Sequence, residues 1–86
     1  MTATVEQMVE HPMLVKVPPA VELTARQVEI LTLIASGKGS KEIASDLRIS
    51  ESTVGVHRVM LYRAIGVHDM ITLTLYAVRE GYVKVV

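Results

Sequence analysis

Three histidines and one glycine–lysine run are the groups in this sequence from which site chemistry would be expected. His11, His57 and His68 are scattered along the chain, which does not suggest a metal motif, and no nucleophile or acid–base pair stands out. The Gly-Lys-Gly-Ser run at residues 37–40 lacks the preceding strand and the spacing of a phosphate-binding loop. A helix boundary explains it better. We therefore expect no catalytic residue, no metal, no cofactor and no small-molecule ligand.

The composition bounds the class of protein. Eighty-six residues form one small domain, and with no cysteine there is no disulfide scaffold. No apolar run is long enough to span a membrane and the start does not read as a signal peptide, so we expect a cytoplasmic protein without membrane contact. Nine basic and nine acidic side chains cancel, whereas nucleic-acid binders are usually basic. Beyond residue 22, eight basic side chains outnumber six acidic ones, a weak preference for phosphate.

Capping residues and glycines divide the chain from residue 23 into helices. Thr24 and Gln27 have the spacing of a capping box, and Ser50 and Asp69 are placed to cap later helices. Glycines follow the apolar stripes where helices should stop. Together with helical periodicity, these signals predict an all-α domain over residues 23–86, without winged elements, whose four helices cover about residues 25–36, 40–47, 51–65 and 70–80.

The first 22 residues differ from the rest because they contain all three prolines. We expect them to form an N-terminal arm, extended or exchanged between the two chains of a dimer. A short helix at residues 2–10 is compatible with the sequence. Residues 13–17 and 82–86 are both β-prone, and they either pair as a two-stranded ribbon or remain flexible tails.

The second and third predicted helices have the proportions of a helix-turn-helix motif. A short helix, a turn at residues 48–50 and a longer helix follow one another, and Ala44 is small where the two helices should cross. In such motifs the start of the second helix meets base edges while the first crosses the DNA backbone. Spacing alone is also compatible with an ordinary helical hairpin.

Longer segments resemble a known family. Leu-Thr-Ala-Arg-Gln-Val-Glu-Ile-Leu at 23–31, Ser-Lys-Glu-Ile-Ala at 40–44 and Leu-Arg-Ile-Ser-Glu-Ser-Thr-Val at 47–54 are similar to the LuxR-type (GerE-like) domain. The similarity runs in order and without a gap over about residues 23–83. It implies a four-helix domain that binds duplex DNA and commonly dimerises through its last helix.

Residue types and the resemblance together give two sets of candidate site residues. The predicted DNA-binding residues are Ser40, Lys41, Ser52, Thr53, Gly55, Val56, His57, Arg58, Met60 and Arg63. The predicted dimer interface, on the outward side of the fourth helix, comprises Thr72, Leu75, Tyr76 and Arg79. The alternative for Leu75 and Tyr76 is that they belong to the core of the domain.

The third helix departs from the family pattern where DNA contacts are expected. Gly55 and Ala64 stand where the family usually has lysine, and Met60 stands where it has asparagine. The helix instead carries apolar side chains outside its core stripe. These could contact thymine methyl groups, extend the core beneath the arm, or bind a protein.

Two functions therefore remain in view. The first is a stand-alone bacterial or phage transcriptional regulator that binds duplex DNA through residues 51–65 as a homodimer. The alternative is a protein-interaction module on the same scaffold, an antagonist or co-regulator of another transcription factor or of RNA polymerase, with weak or no DNA binding.

Overall fold

The computed structural model describes residues 16–84, and within that range the chain forms four helices and no strand. They are α1 (Ala25–Ala35), α2 (Ser40–Leu47), α3 (Glu51–Ile65) and α4 (Met70–Arg79). Each bound lies within one residue of the predicted one, and the predicted all-α, four-helix fold is confirmed. The helix considered at residues 2–10 lies outside the described residues. So does most of the possible ribbon, whose described parts at 16–17 and 82–84 are not in strands.

Side chains just before each of three helices satisfy the free amides of the first turn. The predicted capping box is confirmed: Thr24 Oγ1 accepts from the Gln27 N–H at 3.1 Å, and Gln27 Oε1 accepts from the Thr24 N–H at 2.9 Å. Ser50 Oγ accepts from the Thr53 N–H, also at 3.1 Å. Asp69 caps α4 in the same way. These local bonds explain why the helix starts could be predicted from the sequence alone.

The turn between α2 and α3 contains a conformation that the sequence did not predict. Arg48 ends α2 with φ 57°, in the left-handed region that residues with a side chain seldom adopt. The reversal lets the Ile49 N–H reach the Ala44 carbonyl at 3.0 Å, and Ile49 packs half-buried against the core. The chain therefore leaves α2 at Arg48 and enters the turn to α3 with Ile49 directed toward the core.

The core lies around α1, which contacts the other three helices. Its buried residues are aliphatic except for one tyrosine: Ile30, Leu31, Ile34, Ile43, Ala44, Val54, Leu61, Ile65, Val67, Leu73, Tyr76 and Ala77. From α3, only Val54, Leu61 and Ile65 are buried. The opposite side of α3 is left without packing partners in the described part of the chain.

Residues 17–23, which we call the strap, pack against α4. Val17 and Leu23 contact the core. The Tyr76 hydroxyl accepts from the Val21 N–H at 3.0 Å, and the Arg79 guanidinium donates to the carbonyls of Val17 and Pro18. The last residues of the predicted arm are thus tied to the fourth helix.

These contacts correct the expectation for the outward side of α4. Tyr76 is completely buried in the core, and Leu75 is only 3% exposed. Arg79 is engaged by the strap and by Glu80. The side chains of Leu75 and Tyr76 therefore do not lie on the outward surface, because the chain itself buries them.

Candidate nucleic-acid interface

The helix-turn-helix motif turns one side of α3 toward solvent. Where α2 and α3 pack together, Ile43 and Val54 are fully buried and Ala44 is 7% exposed. With that side of α3 held in the core, residues about 180° away around the helix must lie outward. The outward side of α3 is therefore accessible to solvent in the described part of the chain.

The middle of this outward side is apolar. Val56, Val59 and Met60 are 58%, 51% and 55% exposed, and we call them the apolar patch. Ser52 and Arg63 lie on the same side of the helix, one turn before and one turn after the patch, and both are exposed. Surface of this kind on a small protein commonly marks a contact with a partner.

Hydroxyl groups gather at the start of α3. Ser50 Oγ lies 3.0 Å from Ser52 Oγ and 2.8 Å from Thr53 Oγ1, in addition to its bond with the Thr53 amide. All three residues are exposed. The cap that stabilises the helix thus also sets the positions of two predicted DNA-binding hydroxyls, which can donate to phosphate oxygens.

Positive charge around the motif is sparse and unevenly exposed. Lys41 and Arg63 are exposed, whereas Arg58 is half-buried beside Val54 and Leu61 on the inward stripe. The Nε atom of Arg58 is buried without a hydrogen-bond partner among the described residues. Arg58 follows Val54 by four residues and precedes Leu61 by three, so the helical period alone puts it on the inward stripe and Arg63 on the outward side.

The remaining predicted residues divide by exposure. Ser40, the first residue of α2, and His57 are half-buried, and Gly55 is exposed. A Cβ atom added to Gly55 would meet nothing within 4 Å. No packing requirement within the chain therefore explains the glycine, and a longer side chain would fit.

Two charged residues near the motif were missed by sequence reasoning. Arg48 is exposed in the turn, and Lys38 forms an ion pair with Asp46 of α2. That ion pair and its hydrogen bond raise the pKa of Lys38 above its ordinary value. Only the left-handed geometry, invisible in the sequence, singles out Arg48.

Residues 16–84 contain no group of three histidine, cysteine or acidic side chains able to hold a metal ion. Over the same residues, no helix combines the length and the apolar character needed to cross a bilayer.

The chain is similar to several bacterial regulators. It is 47% identical over 60 residues to the uncharacterized response regulatory protein YgeK of Escherichia coli, covering 70% of this chain and 41% of that protein. It is 45% identical over 58 residues to the uncharacterized transcriptional regulatory protein YhcZ of Bacillus subtilis, and 40% identical over 58 residues to the oxygen regulatory protein NreC of Staphylococcus aureus. Each of these two matches covers 67% of this chain and 27% of the relative.

The chain thus spans less than half the length of these relatives. No solved structure matches it with comparable significance. The model of the luxR family of bacterial regulatory proteins (GerE) matches residues 21–77, which begin in the strap and end within α4. Because this match covers more than half of the sequence and includes the whole helix-turn-helix motif, the protein belongs to the luxR family of bacterial regulatory proteins.

Proposed function

We propose that this protein regulates transcription by inserting α3 into the major groove of duplex DNA as part of a homodimer. The observation that carries the proposal is the helix-turn-helix geometry. α2 and the core hold one side of α3, while the residues on the opposite side are exposed within the described part of the chain. The names of the relatives YhcZ and NreC, a transcriptional regulatory protein and an oxygen regulatory protein, agree with such a role.

Each predicted contact has a place in this arrangement. Lys41 and Ser40, at the start of α2, lie where the first helix crosses the backbone, so they meet phosphates. The Thr53 hydroxyl donates to a phosphate at the start of α3. The residues proposed to enter or border the groove are Ser52, Gly55, Val56, His57, Arg58, Met60 and Arg63.

The homodimer is proposed to form through α4, with Thr72 at its contact. The other three predicted interface residues support that surface indirectly, because their side chains are already engaged within the chain. Leu75 and Tyr76 are buried beneath it, and Arg79 is bonded to the strap. The exposed apolar residue next to Thr72 is Ile71, at 69% exposure, which is available to a second copy. Sedimentation equilibrium tests this proposal, and a strict monomer both alone and on DNA would refute it.

A salt series tests DNA binding directly. Affinity for mixed duplex DNA should fall as salt rises, because Lys and Arg contacts release condensed cations from the phosphates. Lys41→Gln should reduce the slope of log affinity against log salt by about one unit. Glu22→Gln, an exposed change in the strap, serves as a control that leaves the slope unchanged. A slope near zero, with no duplex retained in a selection from random sequence, would defeat the proposal.

One observation favours a second candidate function. The apolar patch is exposed on a chain whose formal net charge is zero, and both features suit a protein partner such as another regulator or RNA polymerase. In that case purified RNA polymerase or a partner regulator would bind the chain, Met60→Lys would abolish the binding, and duplex DNA would not compete.

A further inference from the structure

We propose that the apolar patch reads the C5-methyl groups of thymines, so that the sites bound by this protein carry thymine at the positions opposite Val56, Val59 and Met60. This inference rests on the proposed insertion of α3 into the major groove. It names the sequence class that this particular helix can recognise. The observation behind it is the chemistry of the outward side of α3.

Between Thr53 and Arg63, the outward side of α3 offers no hydrogen-bonding side chain. Val56, Val59 and Met60 occupy it, and the polar residue His57 is turned partly inward. In the major groove every base presents hydrogen-bonding atoms, and thymine alone adds an apolar group. Placing valine or methionine against an amino group or a ring nitrogen strips water from that atom without replacing its hydrogen bond. Contact with a thymine methyl carries no such penalty.

The spacing of the patch sets which thymines it can reach. Val56 and Met60 are four residues apart, about 6 Å along the helix axis. Successive base pairs are about 3.4 Å apart, so these two side chains match positions roughly two base-pair steps apart. Val59 and Met60 diverge by about 100° around the axis. We therefore expect them to contact opposite strands of the duplex.

The two kinds of side chain should differ in stringency. Valine is branched at Cβ and holds one preferred rotamer in a helix, so Val56 should accept a methyl group at a single position. Methionine has three rotatable bonds and adapts to irregular surfaces. Met60 should therefore tolerate a thymine at either of two neighbouring positions.

The flanks of the patch favour DNA over a protein as its occupant. The hydroxyls of Ser52 and Thr53 precede it and Arg63 follows it on the same helix, and all three are exposed. Donors of this type suit phosphate oxygens on the two sides of a groove. An apolar centre bordered by such donors matches a row of methyl groups between two phosphate backbones.

Replacing thymine with deoxyuridine tests the proposal, because this change deletes the methyl group and keeps every base-pairing and groove hydrogen-bond atom. A bound duplex is first selected from random sequence using the whole chain, and each thymine is then replaced in turn. We expect a roughly fourfold loss of affinity, the effect of one buried methyl group, at each contacted thymine, including two positions about two steps apart that lie opposite Val56 and Met60. If the selected duplex binds and no replacement weakens it, the patch does not read methyl groups and the inference is overturned.

Failure of the selection itself is a different result. If no duplex is retained, the proposed DNA-binding function fails, and the inference fails with it. A third result is that the protein binds the duplex, but Val56→Ala and Met60→Ala prefer thymine over deoxyuridine by the same factor as the unaltered protein. DNA binding then stands, and only the assignment of the patch is lost.

Variants assign each methyl group to a side chain. Val56→Ala should abolish the deoxyuridine effect at one position and Met60→Ala at the other, while Val21→Ala, an exposed valine in the strap, should change neither. Met60→Asn introduces an amide that pairs with adenine, so a repeated selection should exchange thymine for adenine at that position. An unchanged selected sequence would contradict the role of Met60.

Discussion

α3 and α4 both have a side turned away from the core, and the chain treats those two sides differently. On α3 the apolar patch is more than half exposed. On α4 the strap lies beside Tyr76 and Arg79, held by the Tyr76 hydroxyl and the Arg79 guanidinium, while Ile71 in the first turn is 69% exposed. The apolar patch and Ile71 are therefore the surfaces that the two proposed contacts would use, the patch with DNA and Ile71 with a second copy.

The strap lies on α4 and not on α3 because α4 offers side chains that hydrogen-bond to the strap backbone. Extended backbone carries unpaired N–H and C=O groups that must find partners before it can lie on a helix. Tyr76 and Arg79 supply those partners, and the Arg79 guanidinium also lies 5.4 Å from the centre of the Tyr76 ring. The outward side of α3 has valines and a methionine, which offer no such groups.

The largest expected contrast is in the free energy of unfolding, between a side-chain deletion on α4 and one on α3. Tyr76→Ala should lower the free energy of unfolding by about 3–5 kcal/mol, because it removes a fully buried aromatic ring and the strap bond. Met60→Ala should change it by no more than about 0.5 kcal/mol, since the side chain is 55% exposed. Urea denaturation monitored by circular dichroism measures both. Equal losses would mean that Met60 is buried in solution.

Releasing the strap without creating a cavity should have a smaller effect. Arg79→Met keeps most of the apolar stem but loses the bonds to the Val17 and Pro18 carbonyls, and we expect a loss of about 1–2 kcal/mol. Amide exchange at Val21 should accelerate by a larger factor than exchange in α1. Arg63→Met is the matched control on α3. Unchanged exchange at Val21 in Arg79→Met would show that the strap is held by other contacts.

Gly55 offers a change in the opposite direction. Gly55→Ala should stabilise the protein by about 1 kcal/mol, because the position is helical and open to solvent. Gly66→Ala is the contrasting control: that glycine has φ 88° at the end of α3, where alanine is strained and should destabilise. Thermal unfolding compares the two. A destabilised Gly55→Ala would indicate that the backbone there is not a regular helix.

The smallest expected effect is a difference in pH dependence between the first turn of α4 and the first turn of α3. The Thr72 N–H and hydroxyl donate to the Asp69 carboxylate and hold its pKa below the ordinary value. A pKa that is lower in the folded than in the unfolded chain contributes stability that is present above the ordinary aspartate range. This contribution is lost as pH falls below about 4 through the lowered pKa.

α4 should therefore loosen at its first turn in acid, whereas α3, capped by the neutral Ser50, should not. Amide chemical shifts of Thr72 and Thr53, followed by NMR from pH 6 to about 3 in a Glu51→Gln background that removes the acidic side chain from the first turn of α3, test this. In Asp69→Asn the shift change at Thr72 should disappear. A parallel change at Thr53 would argue against the difference between the caps.

Local interactions explain why much of the fold could be predicted. Thr24, Ser50 and Asp69 cap helices through hydrogen bonds that span three residues, so their effect depends only on neighbouring sequence. The inward stripe of α3 follows the helical period for the same reason. The left-handed Arg48 was missed because arginine gives no local signal for that conformation.

The outward side of α3 was predicted only as a set of residues. Its exposure depends on where α1 and α2 pack, and the sequence left open whether Val56 and Met60 extended the core. Arg58 and Arg63, in contrast, are separated by the helical period itself, because Arg58 lies within four residues of both Val54 and Leu61; the structure adds that the Arg58 Nε atom is buried.

The sequence by itself determined the helices, their caps, the position of the turn between α2 and α3 and the family, all of which depend on short-range patterns. Only the tertiary structure decided the roles of Tyr76 and the strap. Tyr76 and Val21 lie 55 residues apart in the chain, and an amphipathic tyrosine is equally compatible with an interface and with a core. Burial across that separation is a property of the packed chain, which patterns spanning a few residues do not determine.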